Sequence, residues 1–314
     1  MKKRVLSLLL TMLLLILSLI VVPVSAARSN PAASCVGDAD NDGEVTILDA
    51  TAIQRMLASL SVNSFSETAA DTDGDGVITI LDATVIQRWL AALPSPMDNV
   101  PPNNEVLYAR AVLDAMTADE DEIMPLVNIS KDDENVIWDG DRVLLLFMHK
   151  YPDSYPAGKD IELQWGNVWC VSAEECYRWI KNNGDGVTNW TERLHQVLGM
   201  PTSKEYTTLT AIWVDADLVY RPAFVTDPTA GMQTVYQPTG DEKFDAMYQA
   251  WFDDNVNWSY YESAYPWTRL GYTYDWADNG VEYGFSEFII FSGAPATVEF
   301  TYTVDEFVAF AKTR

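Results

Sequence analysis

The stretch "DADNDGEVTILDATAIQRMLASL" (38–60) returns thirty-three residues later as "DTDGDGVITILDATVIQRWLAAL" (71–93), with sixteen of twenty-three aligned positions identical. With Asp38 as position 1, Asp40 and Asp42 stand at 3 and 5, Gly43 at 6 and Asp49 at 12. The second copy offers Asp71, Asp73, Asp75, Gly76 and Asp82 at the same places. Acidic side chains at alternate loop positions aim their oxygens at one centre, and the glycine allows the sharp turn that follows. Position 7, Glu44 or Val77, needs only its backbone carbonyl, and the carboxylate at 12 closes the shell from the incoming helix. An oxygen cage without His or Cys suits Ca2+ rather than Mg2+ or zinc. Without the ion the carboxylates repel one another, so metal binding is expected to be coupled to folding.

A helix follows each loop. Ile53, Met56, Leu57 and Leu60 fall at i, i+3, i+4 and i+7, and Ile86, Trp89, Leu90 and Leu93 repeat the pattern. Each copy thus supplies one loop and one helix. An ordinary EF-hand has a helix on both sides of its loop and usually glutamate at position 12; here that position is aspartate.

The duplicated segment, about 35–94, resembles the type I dockerin family. The resemblance implies a small all-α module of two calcium loop–helix repeats, holding two Ca2+ ions. It implies a cohesin partner, on a scaffoldin or at the cell surface, within a cellulosome-type assembly. The family's ligand positions fall on Asp38, Asp40, Asp42, Glu44, Thr46 and Asp49, and on Asp71, Asp73, Asp75, Val77, Thr79 and Asp82. Its partner-contact positions fall on Ile47, Leu48, Gln54 and Arg55, and on Ile80, Leu81, Gln87 and Arg88. Some dockerins carry Ser-Thr where this chain has Ile-Leu, which points to a cohesin of different specificity. Two such similar faces lead to the expectation that either repeat can dock.

The remaining sequence frames this unit. Residues 1–27 read as an export signal: Lys2–Arg4, the apolar run "VLSLLLTMLLLILSLIVV" (5–22), Pro23 and the small residues "VSAA" (24–27). Retention of that run as an anchor is the competing reading; with cleavage, no stable membrane span is expected. "PSPMDNVPPNN" (94–104) carries four prolines, and 95–104 reads as a semi-rigid linker. All 15 tyrosines and ten of the 11 tryptophans lie beyond it, so 105–314 is expected to be a second module. A net charge of −26 disfavours nucleic-acid partners.

For 105–314, helices are expected near 105–117, 173–182, 190–198, 242–252 and 304–312. Strands are expected near 142–148, 161–169, 207–214, 270–276, 284–291 and 297–303. Mixed order without a βαβ rhythm indicates α+β, with a mixed or antiparallel sheet. "SAEE" (172–175) has the form of a capping box. Cys170 and Cys176 are close enough in sequence to pair as a disulfide, with two free thiols as the alternative. The stretches "KYPDSYPAGKDIELQWGNVW" (150–169) and "YPWTRLGYTYDWADNGVEYGFSEFIIF" (265–291) resemble a module of uncharacterised secreted proteins from fibre-degrading anaerobes over about 140–295, a resemblance that brings no activity with it.

No nucleophile, phosphate-loop or zinc-protease motif occurs. His149 ends an apolar strand, where it is either a satisfied core-edge histidine or a general base. His195, set off its helix's apolar face, is expected at the surface or boundary. Glu287 stands among Phe285, Phe288, Ile289 and Ile290, so it must be partnered or have a raised pKa. It either pairs with Arg269 or joins Asp275 in a glycosidase-type acid/base pair beside aromatic platforms. The catalytic candidates are therefore Glu287, Asp275 and His149. The module is read as acting on plant polysaccharide in the manner of an O-glycosyl hydrolase. The alternatives are a non-catalytic carbohydrate-binding or interaction module and, behind these, a peptidase or peptidase inhibitor.

Overall fold

In each repeat a threonine starts the helix. Thr46 caps α1 (Ile47–Leu57) and Thr79 caps α3 (Ile80–Leu90), each hydroxyl accepting the N–H of the second helical residue. Asp49 and Asp82, at the third helical position, accept the threonine N–H in return, both at 2.7 Å. A single-turn α2 (Glu67–Ala70) precedes the second loop. The computed structural model describes residues 36–314, and its contacts divide the chain between Arg110 and Ala111. The expected signal peptide and Cys35 lie outside the described residues. Among the described residues, no helix is long and apolar enough to cross a membrane.

The first unit buries Ala50 and Ile53 of α1 against Ala83, Ile86, Trp89 and Leu90 of α3. The two expected apolar faces are not equivalent, because Leu57 and Leu60 remain 41% and 55% exposed while Leu90 is buried. Residues 95–104 explain part of the asymmetry and correct the linker reading. Met97 is buried in this core, the Ser95 hydroxyl donates to the Val85 carbonyl, and the Trp89 indole donates to Val100 O. Apolar side chains between the prolines give the stretch something to bury, so it packs on the repeats instead of running free. Helix α4 (Asn104–Asp114) follows.

The second unit is built on nine strands: β1 (Trp138–Asp139), β2 (Arg142–His149), β3 (Asp160–Glu162), β4 (Val168–Ser172), β5 (Thr208–Asp215), β6 (Val219–Tyr220), β7 (Tyr272–Tyr274), β8 (Tyr283–Ile290) and β9 (Pro295–Thr303). Their order is β3-β9-β5-β2-β4-β8-β6, with β1 against β2 and β7 against β8. Every strand pairing is antiparallel. Leu144, Leu146 and Met148 of β2 face a core shared with α5 (Ala173–Asn182), α6 (Trp190–Val197) and α8 (Val304–Ala311). Val143, Leu145 and Phe147 face a second core on the other side. Burial on both faces is why "RVLLLFM" reads as an unbroken apolar run, each such side chain contributing about 1.5–3 kcal/mol. Helix α7 (Glu242–Asn257) packs Tyr248 and Phe252 against Tyr260 and Trp267 in a separate aromatic cluster.

Gly284 sets how closely α6 lies on the sheet. A Cβ there would stand 2.2 Å from the Val197 carbonyl oxygen, an impossible contact. Thr273 fastens the same place, donating to Val197 O and accepting the Phe285 N–H.

Other expectations need correction. The single strand 161–169 is two, β3 and β4, separated by a turn in which Gly166 takes φ +104°; Leu163 is buried while Trp165 is 85% exposed. Ser172 and Glu175 form no capping box. The serine hydroxyl is turned to Asn135 O, and Glu175 accepts both the N–H and the hydroxyl of Ser286. His195 is buried, not at the surface. Cys170 and Cys176 are free thiols and not a disulfide. Strand alternation sends Cys170 into one core while α5 carries Cys176 into the other, across the sheet.

Candidate functional site: paired acidic loops and an aromatic cleft

Each loop gathers three carboxylates. Oxygens of Asp38, Asp40 and Asp49 lie within 4.8 Å of one another, as do those of Asp71, Asp73 and Asp82. Backbone N–H groups fix the arrangement: Asp38 accepts those of Asp42 and Gly43, Asp71 that of Gly76, and Asp49 that of Asp40. One buried oxygen in each loop, Asp40 Oδ1 and Asp71 Oδ1, has no hydrogen-bond partner. Burial, reinforced by Asp42 and Asp38, raises the pKa of Asp40; burial also pushes Asp49 up to about 7. Burial pulls Asp82 the same way, but N–H donors of Thr79, Thr72 and Asp73 and the Thr72 hydroxyl outweigh it and hold Asp82 low. Crowded, desolvated carboxylates with unpartnered oxygens fit a hard cation.

The other expected ligands stand differently. Asp42 and Asp75 lie outside the tight groups, each with an oxygen accepting the N–H two residues on. The hydroxyls of Thr46 and Thr79 are turned to helix capping. Glu44 and Val77 are exposed, which leaves position 7 to its backbone as the loop pattern requires.

On the expected partner face, Leu48, Ile80 and Leu81 are 59%, 55% and 60% exposed, an unusual outlay of apolar surface for helix starts. Gln54, Arg55 and Arg88 are exposed, while Ile47 and Gln87 are half-buried. Both arginines also have an internal task. Arg55 donates through Nε and Nη2 to Ser61 O, and Arg88 in the same way to Pro94 O. The duplicated arginine therefore ties off each helix, and its repetition has a structural cause.

The second unit carries a cleft of about 350 Å³. Strands β2 and β4 pair only where Leu145 and Leu146 meet Ser172 and Val171. Beyond that point Phe147–His149 and Val168–Cys170 part, and all six line the opening. Tyr265, Trp267 and Tyr272 add aromatic walls, with the exposed Trp165, Tyr151 and Trp258 also lining the cleft.

Glu287 lines this cleft as the one carboxylate among the described lining residues. Its N–H donates to Gly271 O, and among the described residues no hydrogen bond or ion pair offsets the burial of its carboxyl group. The expected pairing with Arg269 is absent. Arg269 takes φ +61° and donates instead to the Ala115 and Met116 carbonyls. Burial raises Glu287 well above the usual carboxylate range.

His149 also lines the cleft, but both ring nitrogens are engaged. Nδ1 accepts the Tyr151 N–H at 3.0 Å, so Nε2 carries the proton and donates to Thr210 Oγ1 at 2.7 Å. Burial lowers its pKa to about 4. It is a satisfied core-edge histidine, not a free base. Asp275 does not line the cleft; it is buried against Arg193, and this corrects its pairing with Glu287. An acidic residue beside an apolar strand signalled Glu287 in the sequence, whereas the parting of β2 from β4 had no local signal.

Residues 36–91 match the model of the dockerin type I domain, and this segment is a type I dockerin. Type I dockerins bind calcium, and the domain supports cohesin docking in a cellulosome-type protein. Among curated proteins and among solved structures the chain finds no significant match.

Proposed function

We propose that this chain is an exported component of a cellulosome-type assembly, docking through two calcium-loaded loops and displaying a saccharide-binding cleft on its C-terminal unit. Two ions are inferred because each loop independently gathers three carboxylates and leaves one buried oxygen unpartnered. The leader at 1–27 supports secretion and the segment 35–94 is read as the docking domain; the second domain, expected from 105, is read as starting at the division after Arg110. Leu48 and Leu81, backed by Gln54, Arg55, Gln87 and Arg88, form two equivalent cohesin-facing patches on this reading.

For the C-terminal unit the decisive observation is the cleft's composition: aromatic faces around a single unpaired carboxyl group. Aromatic rings stack on the apolar faces of pyranose rings, while glycoside hydrolysis ordinarily needs two carboxyl groups flanking one bond. With Asp275 committed to Arg193 and His149 committed through both nitrogens, binding without hydrolysis is better supported than a glycosidase. Polysaccharide is the proposed target class, in keeping with the dockerin. Two readouts test this on the calcium-loaded chain: retention on insoluble glycans and reducing-sugar release from a polysaccharide panel. Retention without release is expected; release abolished by Glu287→Gln in a folded protein would restore the hydrolase reading.

A further inference from the structure

We infer that the cleft selects ligands bearing a protonated amine, which among saccharides means sugars with a free amino group; this rests on the saccharide reading above. Glu287 is an acid without a counter-ion, set where it can reach a ligand. The described lining contains no lysine or arginine. Glu287 interacts with Cys170 of β4 and Tyr248 of α7, and the lining of the same cleft adds Tyr272 of β7 and the neutral His149 of β2. Arg221, over the Phe288 ring, is turned to the Gly271, Val127 and Pro228 carbonyls and does not line the cleft, so none of these groups brings a positive charge into it.

Burial disfavours the charged form of Glu287, and nothing else in the cleft lining offsets that cost. An entering ammonium group reverses that preference, because an opposite charge within a few ångströms favours the carboxylate. The ligand's charge then meets both the carboxylate and the aromatic faces of Trp169, Trp267 and Tyr265. A neutral sugar gains the stacking but brings Glu287 no counter-charge. An acidic sugar finds no cation to pair with, and the chain's net charge of −26 repels it further.

Three tetrasaccharides of one backbone shape separate these cases: β-1,4-linked glucose, N-acetylglucosamine and glucosamine. Tryptophan fluorescence and calorimetry on the full calcium-loaded chain are the readouts. The glucosamine tetramer is expected to bind at least about tenfold tighter than the two neutral ones, a difference of roughly 1.4 kcal/mol. Glu287→Gln is expected to erase that preference. Equal wild-type affinity for the glucose and glucosamine tetramers would overturn the amine inference and leave the saccharide reading intact. Failure of all three tetramers, together with no retention on any insoluble glycan, would remove both. The wild-type preference is decisive by itself should the Glu287→Gln chain not fold.

Discussion

Arg193 and Asp275 hold each other through two parallel hydrogen bonds, with Nη1 donating to Oδ1 at 2.8 Å and Nη2 to Oδ2, inside the second unit. The guanidinium also lies over the Trp179 ring, 4.7 Å from its centre. Asp275 accepts the Ala277 N–H and the Asn279 amide as well, so its lone pairs are well occupied. The pair braces α6 against the chain that leaves β7. Asp275→Ala leaves a half-buried guanidinium uncompensated and is expected to cost about 3 kcal/mol, the low end for breaking a buried pair. Urea unfolding measures that loss. Saccharide binding by the fraction that remains folded is expected to be unchanged, because Asp275 does not touch the cleft.

Glu175 gives a pH dependence of defined sign. Its carboxyl group is buried and raised to about 8, even though the N–H and hydroxyl of Ser286 and the Arg221 charge pull it down. The folded state therefore keeps a proton that the unfolded chain releases near 4.5. The folded state binds more protons between about pH 4.5 and 8, so stability falls as pH rises through that window. With saturating calcium, the thermal midpoint is expected to fall by several degrees more between pH 5 and pH 8 in the wild type than in Glu175→Gln. Glu175→Gln is expected to flatten part of that slope; Glu287, Glu122 and Glu282, raised by burial as well, act in the same direction, while His149 and His195, lowered by burial, act against it below about pH 6.5. An equal pH slope in the wild type and Glu175→Gln would contradict this assignment.

How much of this was legible beforehand depends on the range of the forces involved. The two loops could be read because their chemistry is local: ligand spacing, glycine turn and capping aspartate lie within twelve residues. The helix at 173–182 and the strand run at 142–148 could be read for the same reason, since each carries its own period. The partner of Asp275 could not, because Arg193 is brought to it by tertiary packing across 82 residues. Nor could the placement of Cys170 and Cys176, which depends on a sheet lying between them. The proline-rich stretch misled because proline content reports backbone stiffness, while Met97 decides where the stretch packs.

The exposed leucines at the helix starts carry a docking prediction. Leu48→Asp alone, or Leu81→Asp alone, leaves one intact patch and is expected to weaken cohesin binding by less than about tenfold, or about 1.4 kcal/mol. The double substitution is expected to abolish it. Gln54→Ala with Arg55→Ala is likewise expected to weaken binding only slightly. Its larger effect should be on the end of α1, where Arg55 donates to Ser61 O at 3.2 and 3.0 Å. Surface plasmon resonance against immobilised cohesins, paired with thermal melts, separates the two effects; total loss from either single substitution would refute two equivalent patches.

Each calcium loop is expected to fail independently. Asp49→Ala removes the closing carboxylate of the first loop and Asp82→Ala that of the second, and each also removes a helix cap worth about 1 kcal/mol. Equilibrium dialysis is expected to give two bound Ca2+ per wild-type chain and one per single variant. One ion in the wild type would show that the second group of carboxylates is not a site.

Cohesin binding measured in calcium and again in excess chelator tests the central claim most directly. Full binding with Ca2+, loss with chelator alongside reduced helical circular dichroism, and recovery when Ca2+ is restored are the predicted results. A cohesin held equally well in chelator, with the helical signal unchanged, would contradict the claim that bound ions organise the docking surface.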